Sequence, residues 1–427
     1  ADWPRWRNQA DHGRLHQPAG QSRARGRPAR VLIEMQRLRH GASRTIAIVA
    51  AMLLLSRHAV AAIWGASVFT VVSGLLAGCA SFPDAQQLRA TAAPYPGESL
   101  PASRDGRTRY RQIFCEGTAL SAGLENSNDS CNDLLWRLQD EPAPPGAAPA
   151  PPVLARDLQV FVVSGAFSDC RQPATVPFEH AIAELNTQGL RIRPVMVSGR
   201  SSPAHNARQI ADAVTAARVA TTDRVVLVGY SKGAVDALQY LIDFPDQARQ
   251  VVAVLSIAGA VWGSPLAERG DWWYRTFLEQ AFPKTCDPGD GQVIYSLLPS
   301  VRNAWLAEHP LPTHVAYYSL AAFTTADHLS QGLKPAWHAL SRHDRRNDGQ
   351  VVASDAIIPG STLLGFANAD HWDLAISLEK QMPHLSARKS DRELPRSEYL
   401  KAALLYISET LAPSPGIEVN AERAPLQ

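Results

Sequence analysis

The sequence predicts an α/β fold, with a mostly parallel central sheet covered by helices on both faces. From residue 154 onward, short β-branched apolar runs alternate with segments that place apolar residues three to four apart, the βαβα order of a parallel sheet. The runs are apolar throughout rather than at every second position, as in strands buried on both faces. The 427 residues, 45% hydrophobic and 19% charged, suffice for one large domain plus attached segments.

In order, residues 158–163, 192–197, 224–229, 251–257 and 314–320 read as buried strands. Residues 178–188, 206–218 and 234–244 read as helices between them, and 396–411 (RSEYLKAALLYISETL) as a terminal amphipathic helix. The domain is therefore expected over 153–412, with a tail at 413–427. No internal repeat occurs.

Upstream, residues 1–34 are rich in Arg, Gln, Gly and Pro without apolar period and read as a non-domain basic segment; a basic binding tail is the alternative. Net charge is only +2, so no broad basic face for nucleic acid is implied. Residues 35–79 read as a signal or anchor segment: Arg44, Arg57 and His58 precede an uncharged run over 59–78. That run ends in Leu76-Ala77-Gly78-Cys79, which resembles the lipobox of bacterial lipoproteins. The resemblance implies lipidation of Cys79, and Ala80 and Ser81 lack an acidic retention signal, which favours the outer membrane. An uncleaved membrane helix is the alternative. Polar residues 80–108 follow as a tether. Residues 109–152 then form a small Cys-containing appendage and a Pro-rich linker (EPAPPGAAPAPP).

Of five cysteines, Cys79 is assigned to lipid, leaving an even set in an oxidising compartment. Three pairings are possible, and Cys115 with Cys131 and Cys170 with Cys286 is preferred. No Cys/His cluster has metal spacing.

Gly229-Tyr230-Ser231-Lys232-Gly233 is a Gly-x-Ser-x-Gly pentapeptide, with the strand VVLV running into it and the helix AVDALQYLI leaving it. Such a strained strand-turn-helix exposes a serine, and close packing at both glycines leaves no room for a Cβ. A serine hydroxyl needs a histidine to take its proton and a carboxylate to orient that ring. The chain order Ser, Asp, His points to Asp348 in Asn347-Asp348-Gly349 and His371 in Asp370-His371. These elements resemble bacterial triacylglycerol lipases and related esterases of the α/β-hydrolase superfamily, the resemblance spanning 154–411. Rivals are fewer than the thirteen histidines suggest. His328 precedes the acid loop and breaks the order, Asp344 lies in a solvated charge run, and Asp370 is expected to cap the following helix.

The resemblance implies an oxyanion hole made by the Lys232 N–H and a donor in Val163-Ser164-Gly165-Ala166-Phe167, where Ser164 replaces the family's histidine. The donor is Ala166 or Phe167, with Ala166 preferred. Residues 198–202 line a pocket or simply form a turn. Residues 256–264 (SIAGAVWGS) resemble a lipase segment that lacks its Pro-His here, and 265–312 are expected as a cap insertion whose Trp272, Trp273, Tyr274, Phe277 and Phe282 pack or form an acyl wall. Phe167, Tyr230 and Trp262 are expected to touch substrate.

The expected function is a serine esterase acting on an ester with an apolar acyl part, needing no cofactor and held in a bacterial envelope. An acyltransferase using the same triad and a non-catalytic envelope lipoprotein are the alternatives.

Overall fold

The computed structural model describes residues 103–122, 128–144, 150, 152–170, 174–269, 287–379, 382–387 and 394–412, all in the compact unit Phe82–Gln427. The expected leader, the lipobox at Cys79, most of the tether, the five cap aromatics and the 413–427 tail lie outside the described residues. Among the described residues no helix is long and apolar enough to cross a membrane.

Among the described residues the sheet has eight strands. Seven run parallel, and six of these form its body: β3 (Leu158–Val163), β4 (Arg191–Val195), β5 (Arg224–Tyr230), β6 (Val251–Ile257), β7 (Ala316–Phe323) and β8 (Thr362–Asn368), in spatial order β8-β7-β6-β5-β3-β4. Period-two alternation sorts their side chains to two faces. Leu158, Val160 and Val162 of β3, with Val226 and Val228 of β5, enter one core; Phe161 and Val163, with Val225 and Leu227, enter the other.

Helices cover both faces. Three pack on the first: α1 (Arg107–Ala122) through Tyr110, Ile113 and Phe114, α3 (Glu179–Thr187) through Ile182 and Leu185, and α8 (Arg396–Thr410) through Tyr399, Leu400, Leu404 and Ile407. The second face takes α4 (Pro203–Ala216) through Ile210 and Val214 and α5 (Lys232–Asp243) through Ala234, Leu238 and Leu241. Two further helices are α6 (Pro299–Glu308) in the cap region and α7 (Lys334–Leu340) before the acid loop. The architecture is that of the α/β-hydrolase fold.

Two strands lie where the sequence suggested tether and appendage. β1 (Arg104–Asp105) pairs parallel and β2 (Leu135–Trp136) antiparallel with β8. Between them, α1 and α2 (Asn128–Leu134) are joined by the Cys115–Cys131 disulfide. The segment is fastened to the core: Tyr110 Oη donates to the Tyr399 carbonyl (3.1 Å), Tyr399 Oη to the Leu134 carbonyl (2.6 Å), and buried Arg111 pairs with Glu141. Cys170 is also disulfide-bonded, its partner lying outside the described residues.

Candidate active site

β5 ends in a turn that leaves no freedom at either glycine. A Cβ on Gly229 would collide with the Ala234 backbone, and one on Gly233 with the Val163 carbonyl oxygen. Ser231 sits between them at φ 57°, ψ −129°, a conformation L-residues avoid and one that persists only where surroundings over-determine it. They do: its N–H donates to the Ile257 carbonyl (3.1 Å), and its carbonyl accepts from Ala234 (3.1 Å) and Ala260 (3.2 Å).

The Asp348 carboxylate and the His371 imidazole arrive from loops flanking β8. In the acid loop, Asn347 bridges to Val352, and Gly349 N–H donates to Asn347 Oδ1; Gly349 lies at φ 92°, where glycine alone is unstrained. Asp348 Oδ1 accepts from the Gln350 (2.8 Å) and Val351 (2.7 Å) amides, so one oxygen is held by the loop and the other is free to face the ring. Asp348 Oδ2 lies 2.6 Å from His371 Nδ1, and His371 Nε2 lies 2.9 Å from Ser231 Oγ. A carboxylate only accepts, so the Nδ1 proton faces Asp348 and Nε2 is left to accept from the serine hydroxyl. All three residues are buried. The His371 N–H also donates to the Asp348 carbonyl (2.8 Å), binding the two loops backbone to backbone.

Neighbours fix the ring further. Tyr230 Oη donates to the His371 carbonyl (2.5 Å), and its ring lies 5.2 Å from the imidazole. Asp370 accepts from the Asp373 and Ser330 amides; burial, then the charge of Asp373, pushes its pKa up to about 6. Both of its oxygens are taken by these amides, and the segment that follows is a turn where a helix was expected.

The expected donors differ in availability. The Phe167 N–H is engaged with the Gly199 carbonyl (3.1 Å), whereas among the described residues the Ala166 and Lys232 N–H groups donate to no acceptor. Ser164, standing where the resembled family has histidine, is fully buried and accepts from the Val197 N–H (3.1 Å). Residues 198–202 form a turn: Ser202 caps α4, and Ser201 Oγ donates to Ser198 Oγ.

Ser231 and His371 open onto a cavity of about 100 Å³. Ala166, Phe167 and Tyr230 line it, joined by Leu266, Ile294 and Leu297 from the ends of the segment expected as a cap and by Trp372, Ile376, Leu378 and Met382 from the segment after His371. That last wall was missed in the sequence, although its apolar residues follow the base directly. Trp262 needs correction. It does not line the cavity but is buried in the core beside α4 and α5, its indole N–H donating to the Ile357 carbonyl (2.9 Å). A small apolar wall with a serine hydroxyl, an imidazole and two unengaged amides at one rim has the parts for acyl transfer. Among the described residues no group of three or more His, Cys, Asp or Glu could hold a metal ion.

Among solved structures, the chain is similar to the metagenomic carboxyl esterase MGS0156, at 36% sequence identity and a TM-score of 0.67, over 76% of this chain and 98% of that one. It is more distantly similar to the mature form of Bacillus licheniformis lipase BlEst2 (21% identity, 57% of this chain and 96% of that one, TM-score 0.42). Staphylococcus hyicus lipase matches at 11% identity, over 61% of this chain and 97% of that one, with a TM-score of 0.43. These two likenesses are too slight to carry an argument. No protein-family model and no curated protein matches the chain.

Proposed function

Because the chain belongs to the carboxyl-esterase family represented by that metagenomic enzyme, within the α/β-hydrolase fold, we propose that it hydrolyses carboxylic esters through an acyl-enzyme on Ser231. Ser231 Oγ attacks the ester carbonyl while His371 Nε2 takes its proton, and Asp348 holds the ring and stabilises the imidazolium. The Lys232 and Ala166 amides receive the tetrahedral oxyanion. His371 then protonates the departing alcohol oxygen; water, deprotonated by the same nitrogen, attacks the acyl-enzyme and frees the acid. No cofactor takes part.

The observation that carries this reading is the unbroken hydrogen-bonded series Asp348–His371–Ser231, at 2.6 and 2.9 Å, ending at a cavity. The apolar lining supports an apolar acyl group. The test is hydrolysis of p-nitrophenyl butyrate, with acid and alcohol quantified. Ser231→Ala is expected to lower kcat by roughly 10⁴-fold or more with the protein still folded. A folded Ser231→Ala variant at wild-type rate would end the proposal, and acyl transfer to an added alcohol in preference to water would make the protein a transferase.

The proposal includes a location: a bacterial envelope lipoprotein anchored through Cys79. The uncharged run over 59–78 and the Leu-Ala-Gly-Cys ending support it. A mature chain of lipidated mass beginning at Cys79 is expected after expression in a bacterium. An unmodified cysteine there would refute the anchor without touching the chemistry.

A further inference from the structure

Behind the nucleophile lies a cluster of ionisable groups that the reaction above does not use. The Lys232 side chain is 1% exposed, and its Nζ donates to Asp236 Oδ1 (2.5 Å), one turn along α5. Asp236 is fully buried, and its Oδ2 accepts from Asn206 Nδ2 of α4 (2.8 Å). Arg302, on α6 of the cap region, is as buried as Lys232. Its Nε donates to the Val261 carbonyl (3.0 Å), and its guanidinium stacks 4.5 Å from the Trp305 ring centroid. Burial pulls the Lys232 pKa down and pushes the Asp236 pKa up, and the two charges oppose each other's shifts. Arg302 is attracted by the same carboxylate and repels Lys232. Two buried cations therefore share one buried anion. The other carboxylate that Lys232 feels, Asp290, is exposed and already bonded to Ser202, so solvent screens it.

A buried ion pair is weak as a source of stability, because desolvation offsets most of the attraction. The location suggests another use. Lys232 follows the nucleophile and opens α5, whose amino end already presents positive partial charge. Arg302 holds Val261, and the preceding residue, Ala260, donates to the Ser231 carbonyl. Fixed charge in a site shielded from water acts strongly on an anion forming nearby, and needs no reorganisation as it forms.

We propose that Lys232, through its side chain, and Arg302 are positioning residues for ester hydrolysis: their buried charges, the first held by Asp236 and the second by the Val261 carbonyl and the Trp305 ring, favour the oxyanion without touching the substrate. This rests on the reading of Ser231 as nucleophile.

The test compares kcat and KM for p-nitrophenyl butyrate, and affinity for butylboronic acid, whose serine adduct is anionic. Lys232→Met and Arg302→Met are expected to lower kcat by about 5- to 20-fold and to weaken the boronate in parallel, with KM within about two-fold. Lys232→Arg and Arg302→Lys restore most of the loss. If a Met variant does not fold, Lys232→Gln keeps a hydrogen bond to Asp236 without the charge and carries the same expectation. Losses confined to KM, no recovery in Lys232→Arg and Arg302→Lys, or no loss in any cationic-site variant would each overturn the proposal. Failure of the underlying reading shows separately, as a wild-type protein whose Ser231 does not react with a fluorophosphonate.

Discussion

Ser231 occupies a left-handed φ because two glycines let α5 and the β3 end close around it. Gly233→Ala would press a methyl group into the Val163 carbonyl. We expect it to lower kcat at least 100-fold or to prevent folding, whereas Ala234→Ser, one residue on, should fold; activity measured beside near-UV circular dichroism separates the outcomes. The glycines, the serine and the two downstream loops were legible because each is fixed by a local requirement of turn or chain order. Trp262 was not. Its sequence setting beside Gly263 and Ser264 suits a pocket wall as well as a core, and only the sheet's position turns the indole inward to Ile357. Trp262→Phe is accordingly expected to cost stability, about 1 kcal/mol from the lost hydrogen bond and more from the cavity left, with KM for the ester unchanged. A raised KM without a change in melting temperature would return Trp262 to the substrate.

At the level of elements, the central strands were readable from continuous apolar runs, and β3 and β6 have the bounds expected. β8 escaped because Gly365 and the polar ends Thr362 and Asn368 interrupt its apolar run. β1 and β2 are two residues each, too short for any periodicity, and are defined only by pairing with β8. The local disulfide was legible from the even cysteine set. Closing the Cys115–Cys131 loop of 16 residues, it should contribute about 3 kcal/mol, so Cys115→Ser is expected to lower the unfolding free energy by that order. An unchanged denaturation midpoint would mean that the β1–β2 segment adds nothing to the cooperative unit. On the short helical turn Ala353–Ala356, beside β7, burial raises the Asp355 pKa to about 7, with Asp344 adding repulsion. The folded protein keeps a proton there that the unfolded chain releases above its ordinary carboxyl value. Stability therefore falls as pH rises from about 4 to about 7, by up to roughly 1.4 kcal/mol per unit. Asp355→Asn should flatten that window in urea titrations; an identical slope in both proteins would contradict the assignment.

Across the described domain, the division of labour follows the sheet. One edge of the fold gathers Ser231 from β5, the donor loop from β3, and the acid and base from either side of β8, while the ends of the cap region supply part of an apolar wall. These parts come from positions more than 200 residues apart in the chain, from Ala166 to His371. Their convergence is a property of strand order, which motif spacing anticipates only through a known fold. The buried Lys232–Asp236–Arg302 cluster lies beyond motif reading altogether, because nothing in the spacing of a lysine, an aspartate and a distant arginine tells that all three leave water. The proposed mechanism depends on Ser231 being activated within the assembled site. The most direct measurement is covalent labelling by an alkyl fluorophosphonate with the modified peptide identified by mass. The account predicts one equivalent on Ser231, abolished in Ser231→Ala and slowed by orders of magnitude in His371→Ala. A folded wild-type protein that takes up no label, or takes it equally after His371 is removed, would contradict it.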